Sequence, residues 1–143
     1  MIPAPLLLAA IGAGVTALME PFRPTAHGAN PWTLDAAVNV LAHAHLFEAA
    51  RAIVEGTITS GFRSERVNQA VGGSPTSDHL AGRAVDIVSK YPPQEAAGRI
   101  FAAVARGELG AVREVLEEPG CVHVGWYPLG TTGAPRLGQW RMT

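Results

Sequence analysis

Residues 77–87, SDHLAGRAVDI, decide the fold of this chain. The second half of the stretch has the composition of a β-strand, in which successive side chains point to opposite faces of a sheet. Val85 and Ile87 therefore share one face, while Asp86 points to the other. The stretch predicts a strand that buries its apolar side chains in a core and presents a carboxylate on its other face, shortly after the polar side chain of His79.

A second stretch, CVHVGWY at residues 121–127, repeats this arrangement. Val122 and Val124 share one face of the predicted strand, and His123 points to the opposite face. Each of the two strands is thus expected to bury valine or isoleucine and to carry one metal-binding side chain on its polar face.

These observations bring three possible ligands together. His79 lies seven residues before Asp86, across a turn at Gly82 that can fold the histidine back over the strand. Two imidazoles and one carboxylate on adjoining elements, with His123 as the third member, match a catalytic zinc set that leaves the fourth coordination position open. Such a site makes amide hydrolysis feasible.

The composition narrows the possible classes of protein. The chain has 143 residues, 48% of them hydrophobic and 16% charged, which is typical of one globular domain rather than a disordered chain. The net charge of -1 gives no sign of a nucleic-acid partner. Cys121 is the only cysteine, so an internal disulfide framework is excluded.

The order of the predicted elements gives an α+β fold, with a small, mostly antiparallel sheet and flanking helices. His43 and His45, which lie two apart on the first helix, are interpreted as ordinary surface residues. The predicted elements are a helix over 33–56, a strand over 57–62, a loop over 63–82, a strand over 83–89, a helix over 92–110, two strands over 112–127 around a Pro119-Gly120 turn, and an irregular tail over 128–143.

The chain begins with an apolar segment and a linker, residues 1–32, ahead of the predicted domain at 33–143. Residues 2–19 carry no charge, and residues 20–32 are rich in proline and small residues. The apolar segment has three interpretations: a signal or membrane anchor, a segment that packs on this domain or on a membrane or virion partner, or a disordered or misassigned start.

Four motifs, in this order, resemble the M15 group of zinc peptidases: SGFRS (60–64), VNQAVGG (67–73), SDHLAGRAVDI (77–87) and VHV (122–124). This group includes D-alanyl-D-alanine carboxypeptidases and phage cell-wall endopeptidases. The resemblance covers roughly residues 33–127 and implies the fold of the DD-peptidase and Hedgehog-like zinc proteins. The family pattern Ser-x-His-x-x-Gly-x-Ala-x-Asp is met in full by Ser77, His79, Gly82, Ala84 and Asp86.

The resemblance also implies roles for individual residues. His79, Asp86 and His123 would bind Zn²⁺. Arg63 would stabilise the developing oxyanion or hold a substrate carboxylate, and Ser77 would bind substrate, orient His79 or have only a structural role in its turn. The implied substrate is a peptidoglycan stem peptide, cut by a carboxypeptidase or an endopeptidase (endolysin) reaction in the cell envelope, the periplasm or a phage virion.

The general base is left open by the sequence. Many members of the family carry an acidic residue three positions before the last ligand, where this chain has Gly120. The candidates are Glu118, which shares a face with His123 if the turn is tight, and Glu117, which takes that face if the turn is longer or bulged. Cys121 is interpreted as a small filler beside the site. The departure at Gly120 motivates an alternative, a catalytically impaired zinc-binding protein with a structural or virion-assembly role.

Overall fold

The structure is a computed structural model that describes residues 25–139. Within this range the chain forms an α+β fold of three helices and five strands, which confirms the predicted class. The helices are α1 (Leu34–Ile53), α2 (Glu65–Ala70) and α3 (Pro93–Ala105), and the strands are β1 (Thr57–Ser60), β2 (Ala84–Val88), β3 (Val112–Glu118), β4 (Cys121–Trp126) and β5 (Arg136–Gln139).

The five strands form one mixed sheet in the order β1-β2-β4-β3-β5. The first three neighbouring pairs are antiparallel, and β3 and β5 are parallel. The prediction of a mostly antiparallel sheet is therefore corrected to a mixed one. The parallel edge strand comes from the tail that was predicted to be irregular, where four residues after a glycine- and proline-rich segment are too few to show a strand pattern.

A short helix, α2, interrupts the segment that was predicted as a loop. The hydroxyl of Ser64 caps its first turn by accepting a hydrogen bond from the backbone N–H of Val67. The side-chain amide of Asn68 donates to the carbonyl of Ser74 and so ties the helix to the loop that follows. This helix was not predicted because its segment is polar and the helix buries only Val67 and Asn68.

The two faces of the sheet have different roles. One face packs against α1 and α3 and forms the hydrophobic core. Its strand residues are Val85, Ile87, Val112, Val115, Val122, Val124 and Trp126. The opposite face carries Asp86 and His123, which are register partners across β2 and β4. The alternation predicted for these two strands is confirmed.

Two register shifts in the strand pairing of the sheet change which side chains reach the polar face. The register shifts between Ile58 and Ser60 in β1, and again between Val112 and Glu114 in β3. Val112 and Val115 consequently both lie in the core although they are three residues apart. Bulges of this kind bend a strand and redirect its side chains. Ser60 and Glu114 are thereby placed on the polar face, beside Asp86 and His123.

The first helix differs from its prediction at one position. His43 is buried, with its Nδ1 2.6 Å from the carbonyl oxygen of Asn39, and its ring lies stacked near Phe47 and tilted against Trp126. The interpretation of His43 as a surface residue was therefore wrong, whereas His45 is exposed. Burial lowers the pKa of His43, which keeps the ring neutral in the core.

The apolar segment at 2–19 lies outside the described residues. Among residues 25–139, no helix combines the length and the apolar character that crossing a bilayer requires. The end of the predicted linker contacts the domain: the Asn30 amide donates to the carbonyl of Phe62 and accepts from the N–H of Ser64.

Candidate metal centre

The three side chains predicted as metal ligands converge at the polar face of the sheet. Asp86 Oδ1 lies 3.0 Å from His123 Nδ1 and 3.1 Å from His79 Nε2, and the two nitrogens are 3.1 Å apart. All three residues are buried. Two of them come from paired strands, and the third comes from the loop between α2 and β2, so the sheet and the loop build the cluster together.

The loop holds His79 in one orientation. Its Nδ1 lies 2.6 Å from the carbonyl oxygen of Gly61, and because a carbonyl can only accept, this nitrogen carries the proton. The Oγ of Ser77 accepts from the backbone N–H of His79, and the carbonyl of His79 accepts from the N–H of Arg63. In the neutral ring, Nε2 therefore presents its lone pair to the cluster.

His123 is held in the same manner through a residue that sequence reasoning missed. Its Nε2 lies 3.2 Å from Glu114 Oε1, and this leaves Nδ1 facing Asp86 and His79. Arg136 Nη2 donates to the second oxygen of Glu114 at 2.8 Å. The hydrogen bond from His123, opposed by burial and aided by Arg136, lowers the pKa of Glu114 to about 2.

The charges of the cluster favour a cation at its centre. Burial raises the pKa of Asp86, but its close contacts with the His123 and His79 rings outweigh burial and hold this pKa well below its ordinary range. Burial lowers the pKa of His123, but the carboxylates of Asp86 and Glu114 outweigh it and raise the pKa to about 9. A proton on Nδ1 of His123 satisfies the cluster in the metal-free protein, and a divalent ion can take its place.

The geometry of the three inward atoms fits a zinc ion. Bonds of about 2.0–2.1 Å in a tetrahedral arrangement place neighbouring ligand atoms about 3.3 Å apart, a few tenths of an ångström more than the separations in this cluster. One ligand atom from each of His79, Asp86 and His123 lies within reach of a shared ion. The donor set of two imidazoles and one carboxylate is of the type that zinc accepts in catalytic sites.

Arg63 lies beside the cluster and contacts the second oxygen of Asp86. Its Nη2 donates to Asp86 Oδ2 at 2.8 Å, and its Nε donates to Ser60 Oγ at 3.2 Å. Its Nη1 approaches Asn68 Oδ1 at 3.5 Å. Arg63 thus fixes the carboxylate so that Oδ1 faces the two histidines. Its predicted part in oxyanion stabilisation or carboxylate binding stays a prediction.

Of the two candidate bases, Glu118 lies next to the cluster. The turn at Pro119 and Gly120 is tight, since Glu118 and Cys121 are register partners. Glu118 Oε1 lies 3.9 Å from His123 Nδ1, and burial together with the charge of Asp86 raises the pKa of Glu118. Glu117 is the register partner of Val122, on the other face. Which of them acts as the base stays a prediction, and the geometry favours Glu118.

Cys121 contacts the candidate base. Its Sγ–H donates to Glu118 Oε2 at 3.4 Å. Burial, with the negative charges of Asp86 and Glu118, raises the pKa of the thiol to about 12. A thiol that keeps its proton at neutral pH is a poor metal ligand, although Cys121, Glu118 and Asp86 lie close enough together to hold an ion. This favours the interpretation of Cys121 as a filler beside the site.

A second ion-pair network is centred on a buried aspartate. Asp78, next to His79 in sequence, is almost completely buried and contacts Arg83 at 3.3 Å and Arg113 at 2.7 Å. A Cβ atom on Gly125 would lie 2.6 Å from Asp78 Oδ2, so only glycine fits at this position of β4. No alternation of the sequence identifies Asp78, because its partners come from separate parts of the chain.

A buried group of two histidines and an aspartate, with a carboxylate of raised pKa at its edge, is the kind of site that defines single-metal hydrolases. Comparison with known families agrees: a family model described as Peptidase M15 matches residues 24–124. The chain belongs to the M15 peptidase family. A search of curated proteins found no match. The family match confirms the resemblance drawn from the four motifs and supports a peptidase.

Proposed function

We propose that this protein is a zinc-dependent peptidase that hydrolyses amide bonds in peptidoglycan stem peptides. The observation that carries the proposal is the convergence of His79 Nε2, Asp86 Oδ1 and His123 Nδ1 within 3.0–3.1 Å of one another, in a chain of the M15 family. A zinc ion held by these atoms would polarise the scissile carbonyl and activate water for attack.

The protein's own residues would orient the ligands and move the proton. Glu118 would accept a proton from the attacking water at Oε1 and deliver it to the nitrogen of the leaving amine. Its raised pKa suits this task, because a base whose pKa lies closer to neutrality can both take up and release a proton. Arg63, fixed by Asp86 and Ser60, would stabilise negative charge that develops on the substrate oxygen or hold a substrate carboxylate.

The reaction would be carboxypeptidase removal of a terminal D-alanine or endopeptidase cleavage within the stem peptide. Peptidoglycan as substrate would place the protein in the cell envelope or in a phage particle. The family match supports a peptidase, and the four sequence motifs support a cell-wall substrate. A membrane or virion partner would be reached through the uncharged residues 2–19.

The experiment that tests this proposal is digestion of purified cell walls by the full chain, with and without a chelator. We expect new peptide ends that appear only with zinc, and mass spectrometry of the released fragments separates the carboxypeptidase from the endopeptidase reaction. His123→Ala should lose both zinc and activity. Zinc bound without cleavage of any wall preparation would contradict the proposal and favour the structural or virion-assembly alternative.

The base assignment is tested by a matched pair of variants, Glu118→Gln and Glu117→Gln. Both should bind zinc, but only Glu118→Gln should lose rate, by about 100-fold or more, because general-base catalysis contributes on that order. Full activity in both variants would exclude both residues as the base.

A further inference from the structure

We propose that Glu114 is a positioning residue for the metal centre, one that fixes His123 as an Nδ1 ligand by accepting the proton on its Nε2. This inference rests on the proposed function, since it concerns the same site. It assigns a residue that none of the sequence motifs contains.

The contact that carries the inference is between Glu114 Oε1 and His123 Nε2, at 3.2 Å. Both ring nitrogens face a carboxylate, since Nδ1 lies 3.0 Å from Asp86 Oδ1, and a carboxylate can only accept. When a metal ion takes the place of the proton on Nδ1, the one remaining ring proton lies on Nε2, where Glu114 accepts it. A carboxylate behind a metal-binding histidine fixes the ring and makes its ligand nitrogen more basic.

The structure holds Glu114 in place for this contact. The side chain is nearly buried, and Arg136 from β5 binds its Oε2 at 2.8 Å. Arg113 lies 3.0 Å from Oε1 and also contacts the buried Asp78 at 2.7 Å. Both oxygens of the carboxylate therefore have an arginine partner, and Oε1 is held towards the ring of His123 as an acceptor.

The bulge in β3 places the side chain of Glu114 on the polar face of the sheet. Val112 faces the core, and strict alternation would send a residue two positions later to the core as well. The register shift between Val112 and Glu114 sends Glu114 to the polar face instead. An acidic side chain in the core would be costly. The bulge avoids this cost because it keeps the carboxylate of Glu114 out of the core.

The test uses zinc affinity and histidine NMR of the full chain, not activity. Glu114→Ala should weaken zinc binding by about 10- to 100-fold in competition with a chromophoric chelator. Glu114→Gln, whose side-chain oxygen can accept the same proton, should recover most of that loss. Glu95→Gln, an exposed change on α3, should bind zinc as the natural protein does.

The NMR measurement distinguishes positioning from a merely structural role. In the zinc-loaded natural protein, ¹⁵N-labelled His123 should be bound through Nδ1 and should show a slowly exchanging Nε2–H proton. This signal should vanish in Glu114→Ala and persist in Glu114→Gln. Because the natural protein alone gives the coordination mode, the test stands even if Glu114→Ala does not fold.

The outcomes separate the two proposals. A natural protein that binds no zinc overturns the proposed function and this inference with it. A natural protein that binds zinc through Nε2 of His123, or a Glu114→Ala variant with unchanged affinity and an intact Nε2–H signal, overturns the inference alone.

Discussion

His123 uses both nitrogens of its ring, one towards the metal centre and the other towards Glu114. Burial lowers the pKa of the ring, but the two neighbouring carboxylates outweigh burial and raise this pKa to about 9, so the ring is protonated at neutral pH in the metal-free protein. Metal and proton thus compete for Nδ1, which makes the affinity for zinc depend on pH.

Zinc affinity is expected to rise with pH up to about 9 and then to level off. A raised pKa means that the proton stays bound at neutral pH, and zinc must displace it, so the apparent affinity should increase by about tenfold for each pH unit below the pKa of His123. Competition titrations between pH 6.5 and 8 measure this slope. An affinity that is constant over the same interval would show that His123 is already unprotonated.

Gly125 is expected to tolerate no side chain. Because an added Cβ would lie 2.6 Å from the buried carboxylate of Asp78, Gly125→Ala should lower the free energy of unfolding by about 1–3 kcal/mol. Urea unfolding of the metal-free protein measures the change. Gly98→Ala is the control, since a Cβ at this position on α3 meets nothing within 4 Å, and its stability should be unchanged or higher. Equal stability of the Gly125 variant and the natural protein would contradict the close approach.

The element that aligns the candidate base is the β3–β4 hairpin. Gly120 has a φ of 80°, a left-handed conformation that most side chains disfavour, and a Cβ there would meet no neighbour. Gly120→Ala should therefore cost about 1–2 kcal/mol of stability through backbone strain alone.

Gly120→Asn should cost less than Gly120→Ala, because asparagine tolerates the left-handed region better. Thermal unfolding of both variants measures the order. The reverse order would indicate that the cost comes from something other than backbone conformation.

Strand alternation predicted the two ligands that lie on strands, but it did not predict the neighbouring polar residues Glu114 and Ser60. Asp86 and His123 stand on regular, paired strands, where a period of two assigns each side chain to a face. Glu114 and Ser60 follow irregular positions, and no feature of the sequence marks a bulge. Alternation from the Pro119-Gly120 turn nevertheless places Glu114 and Glu118 on one face of β3, so the sequence does contain a signal for Glu114.

Other elements escaped prediction because tertiary contacts, not local patterns, define them. The short helix α2 depends on its Ser64 cap and on the loop that Asn68 closes. Strand β5 has only four residues and is defined by pairing with β3. The contact of Arg63 with Asp86 joins residues 23 apart in sequence, and the family motif named Arg63 without indicating this partner.

At the scale of the whole molecule, zinc is expected to stabilise the fold. A ligand that binds only the folded state adds RT ln(1 + [L]/Kd) to the free energy of unfolding, or about 4 kcal/mol at a thousandfold excess over Kd. Calorimetry with zinc and with a chelator should therefore give clearly separated unfolding midpoints. His79→Ala, which removes one of the three ligands, should make the two midpoints coincide, and a natural protein that gives a single midpoint under both conditions would contradict a shared ion.

The origin of His79 in a loop has a consequence for the architecture. Asp86 and His123 are already neighbours in the sheet, but His79 joins them only because residues 61–83 fold back across it. An ion shared by the three would cross-link that loop to two strands, in a chain whose only cysteine cannot form an internal disulfide. Removing the ion should therefore release the loop first, and the candidate site should lose its structure before the hydrophobic core does.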